Sequence, residues 1–138
     1  MAYGDNNLTR DDLQCLAEER LKDAKALLQA GCWSGAYYLA GYVIECALKA
    51  AIAKKTQKYD FPDKKDVTDS YTHALGKLLT LAGFTEQEVE NDTSDWSMIK
   101  DWNESCRYRQ YSKQEAEDYY NAVADGAKGV FQWLKARW

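Results

Sequence analysis

The chain has 138 residues, 46% of them apolar and 29% charged, with a single proline. That is one ordinary globular domain, large enough to bury roughly two-thirds of its unfolded surface without disulfide staples. A formal charge of −4 gives the whole protein no electrostatic pull toward nucleic acid or an anionic membrane, although a local basic patch is compatible with it.

Long Ala/Leu/Lys/Glu-rich runs favour helix throughout. Thr9 and Asp12 form a capping box with Asp in place of the usual Glu. Leu13, Leu16, Ala17, Leu21, Ala24 and Leu28 follow at three- and four-residue steps, predicting an amphipathic helix that Gly31 ends. A second helix, from about Trp33 to Lys55, is apolar on nearly every side and is predicted to be the central one. Residues 56 to 70 are polar and read as a loop. Thr72 is expected to cap a helix over 73 to 82, with Gly83 at its end. Thr85 and Glu88 repeat the capping pattern for a short helix. A further helix is predicted from Thr93 or Ser94 through Trp96, Ile99, Trp102 and Cys106. Ser112 and Glu115 open the last one, which is expected to continue past Gly126 and Gly129 to Leu134, the glycines marking a close helix contact. The expected fold is all-α: an antiparallel four- to five-helix up-and-down bundle, a single domain over 1–138 with its core at about 13–135.

No run of about 18 apolar residues is free of charge, so no membrane span is expected. Met1 to Arg10 is polar and acidic, unlike a signal peptide. Cys15, Cys32, Cys46 and Cys106 form no CxxC pair, and His73 is the only histidine, so neither a zinc site nor any other cofactor is expected. Reduced thiols fit a cytoplasmic protein.

The candidate site residues are few. Glu45 and Lys49 lie one turn apart on the most apolar helix. A carboxylate there needs a cationic partner, with Lys49, Arg20 and Arg107 as the candidates. A guanidinium can hold a carboxylate through two parallel hydrogen bonds, so Arg107 is expected to pair with Glu45. His73 can serve as a general base near neutral pH, or pack as a first-turn residue. Arg107, Tyr108, Arg109 and Tyr111 together can clamp a phosphate and stack a base, or cover helix ends. Lysines between 54 and 65 are diluted by Asp60 and Asp63 and read as a solvated loop. Five tryptophans point partly to the core and partly to a homodimer face.

The run Arg20-Leu-Lys-Asp-Ala-Lys-Ala-Leu-Leu, Gly31, Ala36-Tyr-Tyr-Leu-Ala and Glu45-Cys-Ala-Leu-Lys-Ala resembles the first two helices of HEPN domains. His73-Ala-Leu-Gly-Lys-Leu-Leu is similar to the family's His-x-Leu-x-x-Leu segment, and Arg107-Tyr108 to its Arg-Tyr step. The resemblance implies a bundle that often dimerises and is commonly encoded beside a minimal nucleotidyltransferase, in toxin–antitoxin-like or defence systems. Many such domains are metal-independent RNA nucleases with an Arg-x(4–6)-His motif. Here the fifth to seventh residues after Arg107 are Ser112, Lys113 and Gln114, and those after Arg109 are Gln114, Glu115 and Ala116. The nuclease motif is therefore degenerate. The reading that follows is a binding and dimerisation module. An RNA endonuclease using His73 or Tyr108, and a nucleotide-binding module lacking a glycine-rich loop, are the alternatives.

Overall fold

Thr9 opens the first helix, α1 (Arg10–Gln29), through a reciprocal box: Asp12 N–H donates to Thr9 Oγ1, and Thr9 N–H to Asp12 Oδ2, both at 3.1 Å. These bonds satisfy donors that a helix start otherwise leaves open. Gly31, at φ 79°, turns the chain in the left-handed region, and α2 (Trp33–Lys58) starts at once. The computed structural model describes residues 8–58, 72–93 and 95–138, and the segment expected as a loop lies mostly outside them, with α2 running through its first three residues. Further helices are α3 (Leu75–Leu81), α4 (Glu86–Asp92), α5 (Trp96–Ile99), a 3-10 turn η1 (Glu104–Tyr108), α6 (Lys113–Ala124) and α7 (Val130–Lys135). Among the described residues there is no strand.

The architecture is an antiparallel helical bundle built around α2. Ala36, Ala40, Val43, Ile44, Ala47, Leu48, Ala50 and Ala51 of α2 are all buried. They pack against α1 along the largest helix–helix face, and against α6, α3, α7 and η1 on the other sides. Small side chains let these neighbours approach closely, which explains why α2 is apolar all round. By length and composition α2 resembles a membrane span, but 67% of its apolar stretch is buried within the bundle.

Three local expectations are corrected. The helix over 73–82 is shorter, because Ala74 rather than Thr72 takes the cap position, while the Thr72 hydroxyl accepts the Ala74 N–H in a separate turn. The helix expected from Thr93 to Cys106 is broken into α5 and η1. Thr93 closes α4 instead, its hydroxyl donating to the Val89 carbonyl at 2.6 Å. Trp102 leaves the helical path to donate its indole N–H to the Tyr38 carbonyl at 3.1 Å, and the Asn103 side chain starts η1 by accepting the Ser105 N–H. The last helix is also split. Asp125 Oδ1 accepts the N–H groups of Ala127 and Lys128 at 2.8 and 3.0 Å, a side-chain turn that competes with the helix ladder. The close contact expected at Gly129 is with the backbone of Asp125 and of Val123 at the end of α6, whereas Gly126 has no close neighbour.

Candidate functional site

Tyr38, Tyr42, Glu45 and Lys49 follow one another at steps of four, three and four, so they share one face of α2. Glu45 is buried, with 4% of its side chain exposed. Its Oε2 lies 3.2 Å from Lys49 Nζ, and its Oε1 lies 2.8 Å from His73 Nδ1. A buried carboxylate is stable as an anion when it is paired and hydrogen-bonded on both oxygens. With Glu45 ionised, His73 Nδ1 must be the donor, and in the neutral ring Nε2 is then the acceptor. The His73 side chain is 44% exposed, so the pair links the protein interior to solvent just ahead of α3.

The neighbouring groups are neutral. Burial and then the adjacent Glu45 charge outweigh a hydrogen bond to Tyr42, and the Cys46 thiol is pushed up to about 12. Burial, then Cys46 and Glu45, raise the Tyr42 phenol. Neither supplies an anionic nucleophile near neutral pH.

Arg107, Tyr108 and Arg109 stand at the other end of this face, on and just after η1. All three are exposed, Tyr108 by 78%. The Arg107 guanidinium lies over the Tyr108 ring, 4.8 Å from its centroid. Hydrogen bonding to Tyr108, and then to Tyr38, holds the Arg107 pKa above the ordinary value. Tyr111 behaves differently. Its ring stacks on Tyr37 at 3.7 Å and 6°, its N–H donates to Ser34 Oγ at 2.9 Å, and burial plus the Cys106 thiol push its phenol up to about 12. Tyr119 continues the stack behind Tyr37 and donates to the Ile99 carbonyl. Tyr111 is thus a half-buried strut, and Arg107 and Tyr108 form the exposed projection.

The expected pairing of Arg107 with Glu45 does not form. Both oxygens of Glu45 are taken, and Arg107 sits beside Tyr38, seven residues or about 10 Å back along the helix axis. Arg20 does not join the cluster either. It faces Asp23 at 3.1 Å and Glu19 at 3.6 Å on its own helix, although it lies close enough to Cys46 to lower that thiol's pKa slightly against burial. Lys49 is the partner that the four-residue spacing offered. Sequence reasoning missed His73 as the second partner and Tyr38 as the residue beside Arg107. The repeated four-three-four spacing on α2 was the available signal for Tyr38; the His73 contact spans 28 positions and had none. Among the described residues, no group of three or more His, Cys, Asp or Glu side chains is placed to hold a metal ion.

The family model described as the HEPN domain matches residues 12–137, nearly the whole chain. The chain belongs to the HEPN domain family. No curated protein and no solved structure matches it. The HEPN assignment accounts for the helical bundle. It leaves the activity open, because this HEPN chain has no histidine at the nuclease spacing from Arg107, and its one histidine is held by Glu45 two turns of α2 away.

Proposed function

We propose that this HEPN domain is a binding module that associates with itself and docks to a minimal nucleotidyltransferase, in a toxin–antitoxin-like or defence setting, without cleaving RNA. The observation that carries this reading is the separation of Arg107 from His73. A cleavage site needs a base and a phosphate-binding cation within one nucleotide's reach, and here they are anchored at Tyr38 and Glu45, about 10 Å apart along α2. The exposed Arg107–Tyr108 pair is of the composition favoured at interface centres. Four free cysteines support a reducing, cytoplasmic compartment. The test is incubation of purified protein with labelled RNA and a chelator, beside co-purification with a co-expressed nucleotidyltransferase from the same locus. No cleavage above background and co-elution are expected.

A second reading has its own support. The Glu45–His73 pair orients an imidazole with Nε2 open, the arrangement of a general base. It would take the proton of an RNA 2′-hydroxyl as that oxygen attacks the adjacent phosphorus and the 5′-oxygen leaves with a proton from solvent. Chelator-insensitive cleavage that is lost in His73→Ala would replace the first reading with this one.

A further inference from the structure

Met98, at 42% exposure, is the exposed large apolar side chain among the described residues that the sites above do not use. It lines a groove of about 450 Å³ between α5, α6 and the turn before α7, with Ala122, and with Asp95, Asp118 and Asp125 against Lys128. Asp118, Asn121 and Asp125 also line the groove and follow at steps of three and four, so α6 presents them as one stripe along it. The two aspartates of the stripe are about 10 Å apart along the helix axis. Asp125 is held ionised by the backbone N–H groups of Lys128 and Ala127, which take up its Oδ1. Asp118 accepts the Gln114 amide on its own Oδ1 at 2.7 Å. Asp95 stands just before α5 but makes no side-chain cap bond. All three carboxylates thus keep acceptor capacity for a further donor. The surrounding sequence reinforces the charge: between Glu86 and Glu104 the only cation is Lys100.

We propose that this groove docks a basic amphipathic helix of a partner protein, with two cationic side chains meeting Asp118 and Asp125 and an apolar side chain between them resting on Met98. The spacing sets the register. Positions i and i+7 of a helix lie about 10 Å apart along its axis, and the residue at i+3 or i+4 falls between them on the same face. A groove with an apolar floor is the surface that an amphipathic helix fills, and the unbranched Met98 side chain adapts to the apolar residue laid on it. Charge complementarity selects a cationic occupant, with Asp95 on the opposite wall as a third acceptor. A second copy is a poor fit, because the exposed face of α1 mixes Lys22 and Lys25 with Asp11, Glu19 and Asp23 and would bring like charges together. The partner is defined by this chemistry alone. The groove shares no residue with the Glu45 cluster or the Arg107 turn, so the proposal stands or falls apart from the readings above.

Fluorescence anisotropy tests it, with a labelled alanine-based peptide of about 18 residues, long enough to be helical alone, that carries two arginines two turns apart and a leucine between them on one face. The peptide is expected to bind the wild type. Asp95→Lys combined with Asp118→Lys should weaken binding by about 30-fold or more. Met98→Ser, a change at an exposed position that keeps the test open should the charge variant fail to fold, should weaken it by about 10-fold. Circular dichroism checks the fold of each variant. Asp11→Lys combined with Glu19→Lys makes the same change in net charge on α1 and should alter binding by no more than about twofold at physiological salt. Equal weakening by the two charge reversals, or equal binding of a peptide with serine in place of leucine, would reduce the contact to general acidity and overturn the proposal. A peptide with a proline in mid-stripe that binds as tightly would overturn the helical occupant. Absence of wild-type binding at about 1 mM peptide would overturn it as well. Loss of self-association in the Asp95→Lys and Asp118→Lys variant, read by analytical ultracentrifugation, would make a second copy the occupant and overturn it too.

Discussion

Trp102 occupies the space in which residue 41 would carry a Cβ. Its indole ring lies directly on Gly41, and its Nε1–H donates to the Tyr38 carbonyl at 3.1 Å. This contact locks the segment after α5 onto the face of α2 that also carries Tyr38 and Glu45. Gly41→Ala improves helix propensity by about 1 kcal/mol, yet its methyl group would overlap the ring. Overpacking of this kind costs about 1–3 kcal/mol or more, so a net loss of stability is expected. A lowered urea midpoint with altered tryptophan fluorescence checks it; an unchanged or raised midpoint would show that Trp102 yields freely.

Glu45 is held by Lys49 and His73 rather than by Arg107. Glu45→Gln should lower stability by about 1–2 kcal/mol, as expected when a buried charged acceptor is replaced. His73→Ala should cost less, and the pair should be less than additive in a double-mutant cycle because the side chains touch. Arg107→Ala, an exposed position, should change the stability of the monomer, read below the concentration at which it self-associates, by no more than about 0.5 kcal/mol. Chemical denaturation of the four variants decides between them, and a large loss in Arg107→Ala would contradict the geometry.

The turn before α7 depends on an ionised side chain. Asp125 accepts two backbone N–H bonds, which lower its pKa below the ordinary aspartate value. A carboxyl whose folded pKa is depressed stabilises the fold fully above its unfolded pKa, and that contribution disappears as pH falls through the folded value. Stability should therefore begin to fall as pH drops below about 5 and go on falling below the ordinary aspartate pKa. Asp125→Asn keeps an acceptor but no titration, so its melts should show a shallower slope across that window. An identical slope would remove Asp125 from the acid response.

Thiol chemistry offers a fast check on packing. Cys46 and Cys106 are buried, whereas Cys15 and Cys32 are exposed. With its thiol pushed up to about 12, Cys46 carries almost no thiolate near neutral pH. A disulfide reagent should titrate two thiols in the native protein and all four in denaturant. Rapid native reaction of four would show that the α2 face opens readily.

The local signals in the chain translated directly into structure. Thr9–Asp12, Thr85–Glu88 and Ser112–Glu115 all cap helices through side-chain bonds to the third residue. These patterns are legible because both partners lie within one turn. The all-round apolar character of Trp33 onward likewise marked the central helix. The breaks at Trp102 and Asp125 were hidden, because each rests on a side chain leaving the helical pattern for a tertiary or turn partner that periodicity does not encode. The candidate site was half legible. Lys49 lay at the right spacing from Glu45, but His73 reaches it from across an intervening segment, and Arg107 was assigned to a carboxylate already saturated by nearer groups.

The joint between α1 and α2 has a further consequence. Only residues 30 to 32 separate the two longest helices, and the face between them is the most extensive in the molecule. Closing so short a loop costs little chain entropy, whereas α7 must be brought back from the far end of the chain to reach α2. The helical hairpin is therefore positioned to form first and to serve as the surface on which the remaining segments condense. Substitutions at its seam, such as Leu16→Ala or Ala40→Gly, should slow refolding, while Val130→Ala in α7 should chiefly accelerate unfolding. Stopped-flow tryptophan fluorescence separates the two effects, and equal slowing from both ends of the chain would rule out this order of assembly.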